Sequence, residues 1–179
     1  MAKESQNEKE FVPFLDVIAG AGSVLEIGSR YGQSLLRMAH VAQPGAKIVS
    51  LELPDAGWGR PDSLPVLESV INQLAEEGYD AHLVLGDSHE DDIATTIHEM
   101  GPFDLIFIDG DHSEEGAMMD WIKYGHLGKA IGFHDVASKW GVSKVWPEIK
   151  AKHPSIEFVD YTTPEDRRMG IGLIYRVNG

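Results

Sequence analysis

Ser23-Val24-Leu25-Glu26-Ile27-Gly28-Ser29-Arg30-Tyr31-Gly32 is the stretch on which the reading of this chain turns. Val24, Leu25 and Ile27 make an apolar run of strand length, and the two glycines beyond it mark a tight turn. Leu35, Leu36 and Ala39 then recur at helical spacing, so strand, turn and helix follow without a linker. Gly28 can take a positive φ, and Gly32 removes a side chain where the helix begins. The free N–H groups of that first helical turn therefore face the carboxyl end of the strand. The spacing is G-x-x-x-G rather than the dinucleotide pattern G-x-G-x-x-G, and it suits a carboxylate or an adenosyl group better than a pyrophosphate. By itself the loop is equally an ordinary tight turn.

Outward from this unit the same alternation runs the length of the chain. Strands are expected at Lys47 to Leu51, His82 to Leu85, Leu105 to Ile108, Ala130 to Phe133, Ile156 to Val159 and Ile171 to Tyr175. Helical stripes lie between them, at Val66, Val70 and Leu74 and at Ile93 and Ile97. Ser88 followed by Asp91 resembles a capping box for the latter helix, which Gly101 and Pro102 should end. Tyr161 to Gly170 is too short for a crossover helix, so the last two strands should pair antiparallel. The fold expected is α/β, a Rossmann-like seven-stranded sheet of five parallel strands and a C-terminal antiparallel hairpin, with helices on both faces. That hairpin separates it from a plain dinucleotide fold and leans toward a methyltransferase. One domain over residues 1–179 is expected, with about ten flexible polar residues at its start.

Composition narrows the function. The chain has 179 residues, no cysteine, 42% hydrophobic residues and 15 basic against 29 acidic side chains, a net charge of −14. A domain of this size buries roughly 70% of its unfolded surface and needs no staple to fold. The lack of cysteine excludes thiolate nucleophiles and Cys-ligated zinc. The acidic balance argues against nucleic acid and anionic membranes as partners, since each calls for a positive face. No apolar run approaches the roughly 20 residues of a membrane span, and the polar start carries no secretory pattern, so a cytoplasmic location is expected.

The residues that carry chemistry gather at strand ends. Glu52 ends the second strand, 24 residues after Gly28, where a carboxylate can accept both hydroxyls of a ribose or simply lie solvated in a loop. Asp87 and Ser88 follow the third strand, placed to receive an adenine amino group or to cap the next helix. The densest group is Phe107-Ile108-Asp109-Gly110-Asp111-His112-Ser113, with Phe133-His134-Asp135 after the fifth strand. Its carboxylates and imidazoles offer ligands for Mg²⁺ or Mn²⁺ and a general base. The alternatives are structural: Asp111 and Asp135 as helix caps, His112 as a partner of a backbone carbonyl.

Leu25 to Gly32, Glu52, Gly86 to Ser88, Phe107 to Gly116, Asp120-Trp121 and Gly132 to Val136 together resemble class I S-adenosylmethionine-dependent methyltransferases. The small-molecule O-methyltransferase-like subgroup is the nearest, and the match runs roughly from Val24 to Trp146. The resemblance implies that Gly28, Tyr31 and Gly32 line the methionine end of S-adenosylmethionine, that Glu52 holds its ribose, and that Asp87 and Ser88 approach its adenine. Glu26, Ser29 and Gly86 count with them as cofactor-binding, and Asp109 would sit beside the sulfonium. It further implies that Asp109, His134 and Asp135 bind Mg²⁺ or Mn²⁺ and that His112 takes the proton of a small-molecule hydroxyl. His134-Asp135 stands where related metal-dependent enzymes have two acids or Asp-Asn, so one oxygen ligand becomes nitrogen. Glu115 replaces a usual aromatic, and Leu127-Gly128-Lys129 lacks the Pro-Gly-Gly turn that commonly precedes the fifth strand.

Two other functions fit part of the pattern. Asp109-Gly110-Asp111 matches the Asp-x-Asp metal site of a nucleotide-sugar glycosyltransferase, which leaves Gly28 and Gly32 without roles. A non-catalytic S-adenosylmethionine-binding module fits the cofactor residues alone. The pattern argues against a calcium loop, because Gly116 stands eighth in the run from Asp109 where the EF-hand turn needs a glycine at the sixth position. Pro54 to Pro61, with Trp58, is a candidate lid or packing segment, and Arg167 with Arg168 a candidate anion contact or a solvated hairpin tip. The acceptor's identity and the oligomeric state, homo-oligomer included, are open at this level.

Overall fold

Residues 6–54 and 62–175 are described by a computed structural model in which the expected alternation forms one seven-stranded sheet. The candidate lid lies outside the described residues, except for Pro54. In chain order the elements are α1 (Glu8–Ile18), β1 (Ser23–Ile27), α2 (Gln33–Val41), β2 (Lys47–Glu52), α3 (Ser63–Glu76), β3 (Asp80–Leu85) and α4 (Asp91–Met100). They continue with β4 (Phe103–Ile108), α5 (Glu114–Tyr124), β5 (Gly128–His134), α6 (Val142–Lys150), β6 (Ser155–Phe158) and β7 (Ile171–Tyr175). The strand order is β3-β2-β1-β4-β5-β7-β6, with β1 to β5 parallel. β7 enters antiparallel between β5 and β6. None of the described helices is long and apolar enough to cross a membrane.

The strands read as near-continuous apolar runs because both faces are covered. Val24, Leu105 and Phe107 face α1, α2 and α3, packing with Phe11, Phe14, Leu35, Met38 and Leu67. Their neighbours Leu25, Ile27, Ile106 and Ile108 face α4, α5 and α6, with Ile97, Ala117, Val145 and Trp146. This two-residue alternation divides one sheet between two cores.

Two local expectations change. Glu8 to Glu10, expected within the flexible start, form the first turn of α1, capped by Asn7, whose side chain accepts from Lys9 N. Phe11 and Phe14 lie buried against Phe107, with ring centroids 6.3 and 5.3 Å away, and each such burial contributes about 1.5–3 kcal/mol. The Ser88 capping box does not form: α4 begins at Asp91 behind Glu90, without a side-chain cap. A turn closed by Glu90 N on Asp87 O delays the helix, and Asp87 Oδ1 accepts from His89 N at 2.9 Å. Gly101 ends α4 as expected.

Candidate active site

Strand register alone brings the predicted residues together. Glu52 pairs with Leu85, Leu51 with Ile27, Ile27 with Ile108, and Ile108 with Phe133. The next residues on β2, β1, β4 and β5 are therefore Glu52, Gly28, Asp109 and His134, one row along the carboxyl edge of the sheet, and Gly86 follows one residue beyond it on β3. Sheet order reverses between β1 and β4, which is where ligands of open α/β sheets bind.

At that reversal the two exits interlock. Gly28 has φ 88°, its N–H donates to Leu51 O at 2.9 Å, and Asp109 N donates to Ile27 O at 2.9 Å. A Cβ on Gly28 would press on the Asp109 carbonyl and lie 2.6 Å from Gly110 Cα. Arg30 also adopts a left-handed φ of 50°, and its N–H donates to Glu52 Oε2 at 2.8 Å. Burial raises the Glu52 carboxyl against that bond. Ser29 accepts from Ser50 Oγ at 2.8 Å, and the Tyr31 hydroxyl lies 3.5 Å from Asp62 Oδ1. Gly32 caps α2 with φ 73°, but the space of its missing side chain is filled by Leu67 and Val70 of α3. At Gly86 the corresponding space is filled by Ile93 of α4. These two glycines serve helix packing as well as the loops.

Glu26 is fully enclosed beneath the same loop. Ser34 Oγ donates to its Oε1 at 2.5 Å, its Oε2 has no hydrogen-bond partner, and burial pushes its pKa up to about 8. Folded protein therefore holds a proton that unfolded protein releases near pH 4.5. Between those values stability falls as pH rises. Glu26→Gln is expected to remove that component, on the order of a few kcal/mol. Urea unfolding of both proteins at pH 5 and 9 measures it, and parallel pH dependences would refute it.

The second half of the site is a chain of alternating carboxyls and imidazoles. His112 Nδ1 lies 2.6 Å from Asp135 Oδ2, His134 Nδ1 lies 3.0 Å from Asp109 Oδ1, and His134 Nδ1 is 3.5 Å from Asp135 Oδ2. His112 Nε2 is 3.6 Å from Asp109 Oδ1, and its side chain, 40% exposed, is the most exposed of the four. The Asp135 hydrogen bond raises the His112 pKa against its burial. Burial alone would lower His134, but Asp109 and Asp135 raise it to about 10. Burial alone would raise Asp135, but His112 and His134 hold it well below the usual carboxylate range.

Ligand atoms of Asp109, His134 and Asp135 lie within 4.8 Å of one another. Asp135 Oδ1 and both His134 ring nitrogens are buried without a hydrogen-bond partner, although Nδ1 lies within ion-pair distance of Asp109 and Asp135. That set of two carboxylates and an imidazole fits a divalent ion, and Mn²⁺ accepts the nitrogen better than Mg²⁺.

The capping roles weighed for the acids go elsewhere. Ser113 caps α5 by accepting from Gly116 N at 3.0 Å, while Asp111 Oδ1 accepts from Ser113 N within the turn. α6 begins at Val142, so Asp135 does not cap it; Asp135 has φ 63° and its carbonyl accepts from Ser138 N and Oγ. Arg168 donates to Thr163 O at 3.2 Å and stacks over Tyr161, holding its own loop. Glu115 lines a groove with Met118, Met119 and Val145 between α5 and α6.

Sequence reading gave no role to the pair beneath the β3 exit. Asp120 of α5 is fully buried with both oxygens lacking hydrogen bonds, and His89 Nε2 lies 3.5 Å from its Oδ1, which raises the His89 pKa. Tyr124 OH, one turn further, donates to Ser88 O at 2.5 Å. α5 thus holds the Asp87–His89 turn from below. The Asp120-Trp121 pair was its only sequence signal.

A methyltransferase domain family model matches residues 25–136, more than half of the chain. Comparison with curated protein sequences gave no match. Among solved structures, the O-methyltransferase from Bacillus cereus in complex with SAH aligns with a TM-score of 0.69 at 21% identity, covering 97% of this chain and 83% of that one. Cofactor-bound Rv0187 from MTB gives 0.68 at 25% identity over 99% and 83%. The O-methyltransferase TomG from Streptomyces achromogenes, in complex with SAM, gives 0.67 at 16% identity over 94% and 78%. With its matched segment running from β1 through the Asp135 turn, the chain belongs to the methyltransferase domain family and has the Rossmann-like fold of class I S-adenosylmethionine-dependent methyltransferases.

Proposed function

We propose that this chain methylates a hydroxyl of a small-molecule acceptor, with S-adenosylmethionine as the donor. One observation carries the reading: the residues suited to the cofactor and the proton-accepting cluster share one strand-end row and meet where Gly28 touches Asp109. The solved relatives from Bacillus cereus and Streptomyces achromogenes, described with SAH and SAM, support the same cofactor.

In this reading Gly28, Ser29, Tyr31 and Gly32 form the methionine end, with Glu26 beneath them. Glu52 accepts from the ribose, and Gly86, Asp87 and Ser88 border the adenine. The acceptor oxygen attacks the methyl carbon in line as the carbon–sulfur bond breaks, and its electron pair stays on sulfur to give the thioether. The hydroxyl proton passes to His112 Nε2, because Nδ1 is already engaged by Asp135. Asp109, His134 and Asp135 would hold Mg²⁺ or Mn²⁺; such an ion, when bound, lowers the hydroxyl's pKa and orients it. Most of the rate then comes from placing two reactants in line. The net charge of −14 supports a partner other than nucleic acid or an anionic membrane, and the polar first ten residues support a cytoplasmic setting. The family assignment removes the basis of the nucleotide-sugar alternative.

Calorimetric titration of metal-stripped protein with S-adenosylhomocysteine, repeated with Mn²⁺ and Mg²⁺, tests this. Saturable one-to-one binding is expected, followed by turnover in an acceptor screen of phenols and sugars. Folded protein that binds no S-adenosylhomocysteine under any condition would sink the reading. Binding without turnover on any acceptor would favour a non-catalytic module.

A further inference from the structure

Asp135 is held in a conformation that few non-glycine residues adopt, with φ 63°, and its surroundings must impose it. On one side, His134 pairs with Ile171 at the start of β7. On the other, Ala137 N donates to Met169 O at 2.7 Å and Val136 N to Gly170 O at 3.4 Å. The Asp135 turn is therefore laid against residues 169–171, and its geometry depends on where that segment sits.

What fixes the segment comes from the other end of the chain. Glu10, in the first turn of α1, is 1% exposed, and both its oxygens accept backbone N–H groups. Oε2 takes Gly170 N at 3.0 Å, and Oε1 takes Asp160 N at 2.8 Å. One carboxyl thus closes both ends of the β6–β7 connection. Gly170 lies between Glu10 on its N–H side and the Val136 turn on its carbonyl side, with φ 79° and Val136, Ala137 and Val159 filling the space a side chain would need. The start of α1 grips the same connection again, since Lys9 Nζ lies 3.3 Å from Asp160 Oδ2 and Asn7 Nδ2 donates to that oxygen at 3.3 Å.

From this path we infer that Glu10 is a positioning residue for the Asp135 end of the active site, acting through Gly170 and Met169. The inference rests on the reading that Asp135 belongs to that site. The hydrogen bonds of the Glu10 carboxyl run to Asp160 and Gly170 rather than to the cofactor half around Gly28, Glu52 and Asp87, so loss of Glu10 separates the two halves. Glutamine keeps the shape, but it offers one oxygen and turns an NH₂ toward the second backbone donor.

The test compares wild type, Glu10→Gln and a destabilising control, Ile18→Val, a buried residue at the far end of α1 from Glu10. Histidine ring resonances in ¹H–¹³C spectra report the site directly, with His40 and His98 as remote references. Expected for Glu10→Gln are shifts confined to His112 and His134, S-adenosylhomocysteine affinity unchanged, and Mn²⁺ affinity lowered by about tenfold. Ile18→Val should leave those two rings in place. The inference is overturned if His112 and His134 do not move in Glu10→Gln, or if Ile18→Val moves them equally. If wild type binds neither S-adenosylhomocysteine nor Mn²⁺, the functional reading fails, while the ring shifts still decide the role of Glu10. Should Glu10→Gln not fold, Glu10→Asp, which shortens the reach by one methylene, carries the same comparison.

Discussion

His112→Ala is expected to lower kcat by about 10²- to 10⁴-fold, the range of a lost general base, while S-adenosylhomocysteine affinity stays unchanged. We propose this side chain as the base because Asp135 holds its Nδ1 at 2.6 Å while the side chain as a whole is 40% exposed. His134, the neighbouring imidazole, is 5% exposed in its side chain and wedged between Asp109 and Asp135, so it cannot reach an acceptor hydroxyl directly. A purely structural role for His112 predicts something different. His112→Gln keeps an amide N–H that can serve Asp135, so it would restore activity if orientation of Asp135 were all that mattered. For a base, glutamine is as inactive as alanine. Steady-state kinetics on the acceptor found by screening, with calorimetry as the binding control, separate the two, and full activity of His112→Ala removes the assignment.

Gly28→Ala is expected to damage both halves of the site together. The residue's φ of 88° disfavours any side chain, and the added methyl meets backbone of Asp109 and Gly110 rather than a flexible side chain. Left-handed strain and overpacking each cost about 1–2 kcal/mol, so destabilisation on the order of 3 kcal/mol is expected. Because the displaced backbone carries Asp109, S-adenosylhomocysteine affinity should fall at least about tenfold, a modest loss for a binding loop moved by a fraction of an ångström. Gly32→Ala makes the informative contrast. Its φ of 73° is similar, but the added methyl meets Leu67 and Val70 side chains at 3.0 Å, which can give way. Chemical denaturation and calorimetry on both variants check the order, and an equal effect at the two positions would refute the interlock.

The cofactor edge was largely legible because it depends on local patterns. Apolar runs of strand length, turn glycines and helical stripes set where each strand ends, and a parallel sheet then lines those ends up. Ile171–Tyr175 carries its expected bounds, and the ends of the other expected strands shift by at most two residues. Polar residues at those exits, among them Glu52, Asp109 and His134, therefore had to meet once the register formed. The errors lie where a side chain had several local partners to choose from. Ser88, Asp111 and Asp135 all favour caps by type, yet Ser113 takes the cap of α5, while Asp87 and Asp111 close turns.

By itself, then, the sequence determined the α/β alternation, the antiparallel close of the sheet and the set of chemical groups at its edge. Each follows from interactions between residues near in the chain, or from strand ends that pairing must align. Only the tertiary structure decided which imidazole is exposed and which is enclosed, that Asp120 and Tyr124 support the Asp87–His89 turn, and that Glu10 reaches Gly170 across the fold. These are contacts between groups that no periodicity links. Their partners are chosen by burial, which forces an enclosed carboxyl to find whatever donor the packed fold places beside it.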